Sequence, residues 1–111
     1  MAIADCGNHF IMQLKKGNTT NGQVVAGVVA GKRPGSRLDQ LICPIDVLID
    51  KWTDSLNICD MGNRRVVLWS RRSGTTQGEI LINNIDCWGL AIDDQRYLYD
   101  SNYKKHEARR Y

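Results

Sequence analysis

The sequence predicts an all-β chain built from a repeated four-stranded unit, and three observations support that reading. Ser55 to Trp69 (SLNICDMGNRRVVLW) realigns on Tyr97 to Tyr111 (YLYDSNYKKHEARRY) 42 residues further on, and Ile3 to Leu14 (IADCGNHFIMQL) realigns on Ile58 to Trp69 at an offset of 55. The apolar runs are short, rich in Val, Ile and Leu, and bounded by Asp, Asn, Gly and Ser, which is the punctuation of strands. No stretch carries an apolar i, i+3, i+4, i+7 stripe of helical length. A period near forty residues made of four short strands is that of a β-propeller blade. A sheet of that size cannot bury both faces alone, so it must stack on its neighbours.

The elements follow in chain order. Residues 1–27 form the C-terminal part of a first blade: two strands flank the Asp5, Gly7, Asn8 turn, and Thr19 to Gly27 (TTNGQVVAG) answers Thr75 to Asn83 (TTQGEILIN). Residues 28–40 are a basic loop broken by Gly31, Pro34 and Gly35, a candidate functional loop. Residues 41–83 form a complete blade with strands at Asp46 to Asp50, Leu56 to Asp60, Val66 to Trp69 and Glu79 to Ile82. Its second strand ends in a turn where Gly62 is expected at positive φ and Asn63 in the left-handed region. Residues 84–111 supply three strands of a further blade, opening with Cys87 to Asp93 (CWGLAID) in the place of Pro44 to Asp50 (PIDVLID). In this unit Asp100 replaces an apolar strand residue, Asn102 the turn Asp and Lys104 the turn glycine, so its turn is expected to diverge. The strands amount to about two and a half blades, where closure needs about four to eight. The chain is therefore expected to be a piece of a larger propeller, or a half ring completed by copies of itself, with unclosed edges available for self-association.

The segment Leu38 to Trp69 (LDQLICPIDVLIDKWTDSLNICDMGNRRVVLW) resembles an NHL repeat. Pro44, Asp50, Leu56, Asp60, Asn63, Arg64, Val66 and Trp69 fill the places of that pattern, and the first unit retains its Asn-His pair as Asn8 and His9. The resemblance implies a partial NHL-type β-propeller of four-stranded antiparallel blades, drawn from a six-bladed ring and serving as a non-catalytic scaffold for a protein partner. RNA recognition also occurs in that family, which makes an RNA-binding face the alternative. A fragment of a propeller resembling the zinc-dependent amidating lyases is a further one.

Net charge is only +3, but the positive residues recur at equivalent repeat positions. Lys15 and Lys16 match Arg71 and Arg72, while Arg64 and Arg65 match His106 and Glu107, with Lys104 and Lys105 just before them. A basic rim of this kind suits phosphates or an acidic partner. The candidate binding residues are thus Lys15, Lys16, Arg64, Arg65, Lys104, Lys105 and His106, together with Trp52, which would be an anchor if exposed. The competing explanation is that the basic residues are a solvated face that merely keeps turns and edges soluble, interleaved with acidic residues at Asp46, Asp50, Asp54, Asp60, Asp93 and Asp94. Trp69 and Tyr111 share one slot at the end of the third strand and are expected to pack between blades.

His9 and His106 are the only histidines and occupy equivalent positions in different units, whereas a zinc site needs three or four ligands. With no nucleophile, base and orienting group in a recognisable pattern, no enzyme, cofactor or metal is expected. The four cysteines lack a zinc spacing, and Cys6 and Cys59 sit in small or apolar slots, which favours reduced buried thiols; Cys43 and Cys87 lie beside the entries to successive first strands, where a bridge between them is the alternative. No apolar run approaches a membrane span of about 18 residues, and the start lacks the features of a signal peptide. No membrane association is expected, and the compartment is left open, with the cytoplasm slightly favoured.

Overall fold

Among the described residues, ten strands fall into three successive antiparallel sheets in the computed structural model, which describes residues 1–14, 22–27, 34–72, 74–102 and 107–110. The first sheet holds β1 (Ala2–Asp5), β2 (Phe10–Leu14) and β3 (Gly22–Gly27). The second holds β4 (Pro44–Asp50), β5 (Ser55–Asp60), β6 (Arg65–Ser70) and β7 (Glu79–Asn83). The third holds β8 (Gly89–Ile92), β9 (Leu98–Asn102) and β10 (Glu107–Arg110). Within each sheet the strands lie side by side in sequence order, and no sheet closes on itself among the described residues. The four predicted strands of the middle unit each lie within an observed one.

Sequence period and burial agree in β5 and β6, which are covered on both faces, whereas Ile80 and Leu81 of β7 are exposed. Leu56 and Ile58 of β5, with Val67 and Trp69 of β6, meet Ile11, Ala26 and Leu41 in a core shared with the first sheet. The alternate residues Cys59 and Val66 meet Ile85, Cys87, Leu90 and Leu98 in a core shared with the third. A strand with period two normally buries one face; here both are buried, which is why its runs read as nearly continuous apolar segments. β1 packs against β4, and both β4 and β5 pack against β8. Trp69 is buried between the first two sheets, as its repeat position implies, whereas Tyr111 lies outside the described residues. Asp100, the oddity of the third unit, is buried within β9.

Polar links also join the sheets. Asp46 Oδ2 of β4 accepts a hydrogen bond from the Leu90 amide of β8 at 2.8 Å. Cys6 is disulfide-bonded to Cys43, and Cys59 to Cys87. One bridge starts in the turn after β1 and the other near the end of β5, and each reaches the segment entering the first strand of the next sheet. This corrects the expectation of reduced thiols and of a Cys43–Cys87 pair. Cys43 and Cys87 occupy corresponding entry points, and each meets the sheet before it rather than the other.

The repeated turn has a different geometry from the one expected. Cys6–Asn8 and Met61–Asn63 each form one turn of 3₁₀ helix, and the left-handed residue is the one that follows: His9 at φ 61° and Arg64 at φ 51°. Gly62 is needed for room, not for its backbone angle. A Cβ there would collide with the Ile42 side chain and lie 2.6 Å from the Ile42 carbonyl oxygen, to which the Gly62 amide donates at 2.8 Å. The Asp and Asn of the signature bond each other: Asn63 Nδ2 donates to Asp60 Oδ2, and Asn8 Nδ2 to Asp5 Oδ2, both at 2.8 Å.

Candidate functional site

Of the basic residues predicted to form a rim, the described ones divide sharply. Arg65 opens β6 opposite Asp60 in the strand register, and its side chain turns inward, 5% exposed. Its Nε donates to Asp60 Oδ2 at 2.8 Å, its Nη1 to the Ser36 carbonyl at 2.9 Å, and its Nη2 to the Arg37 and Gln40 carbonyls at 3.1 and 2.9 Å. Asp60, fully buried, also accepts from the Ile42 amide at 2.8 Å. The described part of the basic loop, residues 34–40, is thus tied to the middle sheet through Arg65 and by Asn63 Nδ2 on the Gly35 carbonyl at 2.9 Å. Arg65 cannot meet a ligand without dismantling that loop.

Arg64, the neighbour in left-handed conformation, points outward and pairs with Asp86 at 2.8 Å. His9, its counterpart in the first unit, accepts the Cys43 amide on Nδ1 at 2.9 Å. Lys15, Lys16, Lys104, Lys105 and His106 lie outside the described residues. Among the described residues, no three His, Cys, Asp or Glu side chains gather closely enough to hold a metal ion, and no helix is long and apolar enough to cross a membrane.

Trp52 stands apart from all of these. It is 83% exposed, the most exposed large apolar side chain described. Its place is set by the β4–β5 turn, residues 51–54, where the Trp52 amide donates to Asp50 Oδ1 at 3.0 Å and Asp54 takes φ 49°. The β8–β9 turn repeats this construction: the Gln95 amide donates to Asp93 Oδ1 at 2.9 Å, and Arg96, equivalent to Asp54, takes φ 68°. Side-chain carboxylates that hold the amide two residues on are a standard way to fix such turns.

The two turns are clasped together. Arg96 Nη1 and Nη2 donate to Asp50 Oδ1 and Oδ2 at 2.7 and 2.6 Å, a bidentate pair between residues 46 apart in sequence. The same guanidinium carbon lies 5.7 Å from the centroid of the Trp52 ring, within the range of a cation–π contact. Between the turns is a cleft of about 280 Å³ lined chiefly by polar and charged residues, among them Lys51, Asp93 and Asp94, with Ile92 at its border. A larger concavity of about 410 Å³ beside β6 and β7 is lined mainly by small and polar residues, among them Ser55, Ser70 and Gln77, and holds no exposed aromatic.

Asp50 is 7% exposed; Arg96 neutralises it and makes its burial tolerable. The hydrogen bonds from Arg96 hold the Asp50 carboxyl down at about 2, against the opposing effect of burial, with the Trp52 amide and Thr53 hydroxyl assisting. Arg96 is correspondingly raised. A lowered folded-state value means that stability from this pair is fully present above the ordinary carboxylate value, near pH 4, and is lost as pH falls towards 2. The melting temperature of the wild type should therefore drop between pH 4 and 2 by about 3–6 °C more than that of Asp50→Asn, measured by circular dichroism. Parallel profiles for the two proteins would show that the pair contributes nothing.

Sequence reasoning named Trp52 but missed Arg96. The available signal was the repeat itself, which places Asp50 and Asp93 at equivalent strand ends and so brings the following turns side by side. No protein-family model matches the chain, and no curated protein matches it either.

Proposed function

We propose that the chain is a non-catalytic protein-interaction module, part of an NHL-type β-propeller, that engages its partner through the Trp52 turn. The observation that carries this is an indole exposed at the tip of a turn whose backbone and flanking guanidinium are held in place. An aromatic ring that is ordered before binding loses little entropy on association and is a frequent hot-spot residue. The propeller assignment is supported by the forty-residue period and by the packing of β1, β4 and β8 of successive sheets on one another. The two inter-sheet disulfides favour an oxidising compartment over the cytoplasm.

Selecting a phage-displayed random peptide library on the wild-type chain, with counter-selection on Trp52→Ala, tests the reading. Peptides should be recovered whose affinity falls at least about tenfold in Trp52→Ala, while its melting temperature stays within about 2 °C of wild type because the ring is exposed. Peptides that bind both proteins equally would move the interaction away from this turn. Tight, steeply salt-dependent binding of a single-stranded RNA oligonucleotide, with no Trp52-dependent peptide, would favour the nucleic-acid alternative.

A further inference from the structure

We infer that the group received at this cleft is a basic side chain, Arg or Lys, of a protein partner. The inference rests on the interaction reading above and specifies the partner's chemistry. The first support is the ring itself. Trp52 already holds one guanidinium, that of Arg96, at 5.7 Å from its centroid, and an indole 83% exposed has surface left for a second cation. The negative face of an aromatic ring attracts cations irrespective of which chain supplies them.

The second support is the charge around the opening. The cleft is lined by three carboxylates, Asp50, Asp93 and Asp94, against two cations, Lys51 and Arg96. Arg96 and Asp50 satisfy each other through the bidentate pair, so Arg96 is not available to an acidic ligand. That leaves Asp93 and Asp94 against Lys51, an excess of one negative charge. Asp93 is committed to its turn, accepting from the Gln95 and Tyr97 amides and the Tyr99 hydroxyl. Asp94 is exposed at the tip and forms no ion pair among the described residues. A cation stacked on Trp52 and paired with Asp94 suits both features. An acidic side chain would meet Asp93 and Asp94 with only Lys51 in its favour.

The third support is an apolar contact at the border. Ile92 lines the cleft and suits the methylene stem of Arg or Lys while its head stays at the charged margin.

The test uses the full chain and fluorescein-labelled synthetic peptides made from the Trp52-dependent library sequences, each also made with its basic residue changed to Glu or to norleucine. Sequencing of the selected clones should show enrichment of Arg or Lys, and fluorescence anisotropy a loss of affinity of about tenfold or more for the Glu versions. Norleucine should cost about three- to tenfold, since it keeps the stem and removes the charge. Asp94→Asn should weaken the basic peptides about threefold and leave the norleucine peptides unchanged, a difference that simple unfolding could not produce. Trp52-dependent peptides that are acidic or neutral, or basic ones indifferent to Asp94→Asn, would overturn the inference while leaving the interaction reading intact. Recovery of no Trp52-dependent peptide would overturn both.

Discussion

Arg65→Met is expected to destabilise the chain by about 3–5 kcal/mol, whereas Arg64→Met one residue earlier should cost at most about 1 kcal/mol. The contrast follows from where the two side chains lie. Arg64 pairs with Asp86 at the surface, with side-chain exposures of 57% and 38%, where water screens the pair. Arg65 and Asp60 are 5% and 0% exposed. Removing the guanidinium leaves the Asp60 carboxylate buried with only the Ile42 amide and Asn63 Nδ2 to support it. It also takes away the donor that holds the Ser36, Arg37 and Gln40 carbonyls. Urea unfolding followed by circular dichroism gives the two values. The double variant Asp60→Asn/Arg65→Met should recover part of the loss, because an uncompensated buried charge is the largest component of it. If Arg65→Met unfolds within 1 kcal/mol of wild type, the proposed anchoring of the 34–40 loop is wrong.

Replacing both Cys59 and Cys87 with Ala should cost about 4–5 kcal/mol. The bridge closes a loop of 28 residues, and the lost restriction of the unfolded chain is worth about 3.6 kcal/mol on the chain-entropy relation. Both residues are fully buried in the core between the second and third sheets, so the smaller side chains add a packing penalty of about 1 kcal/mol. The Cys6–Cys43 bridge spans 37 residues, for which the same relation gives about 3.8 kcal/mol, but its half-buried position adds little packing loss. The Cys59/Cys87 variant is therefore expected to be the less stable of the two. Intact mass before and after alkylation should show no free thiol in the oxidised wild type. Four alkylated thiols without reduction, or a double variant as stable as wild type, would contradict the pairing.

Much of this was legible in the sequence, and the legible part has a common character. The strand positions of the middle sheet, the turn at Asp60 to Asn63 and the packing slot of Trp69 all follow from residues a few positions apart. Alternating apolar residues define a strand, and Asp, Gly and Asn define a turn, whatever lies elsewhere in the chain. Even so, the roles inside the turn were only partly readable. Gly62 is required because the next segment passes over it at Ile42, and the left-handed position falls on Arg64, which no local preference of arginine announces. For the candidate site the sequence could nominate Trp52 but not establish its exposure, since a tryptophan in a turn can fold down onto a neighbouring sheet as readily as stand out.

By itself, then, the sequence determined an all-β chain of repeated antiparallel strands with recurring acidic turns, because strand period and turn chemistry are short-range properties written in adjacent residues. Only the tertiary structure decided which of two neighbouring arginines is buried, how the cysteines pair, and that Arg96 clasps Asp50 beside an exposed Trp52. Those outcomes join residues 25 to 46 positions apart, and depend on how one sheet is set against the next. A one-residue change of direction at a left-handed turn is enough to send one arginine into the core and its neighbour to the surface.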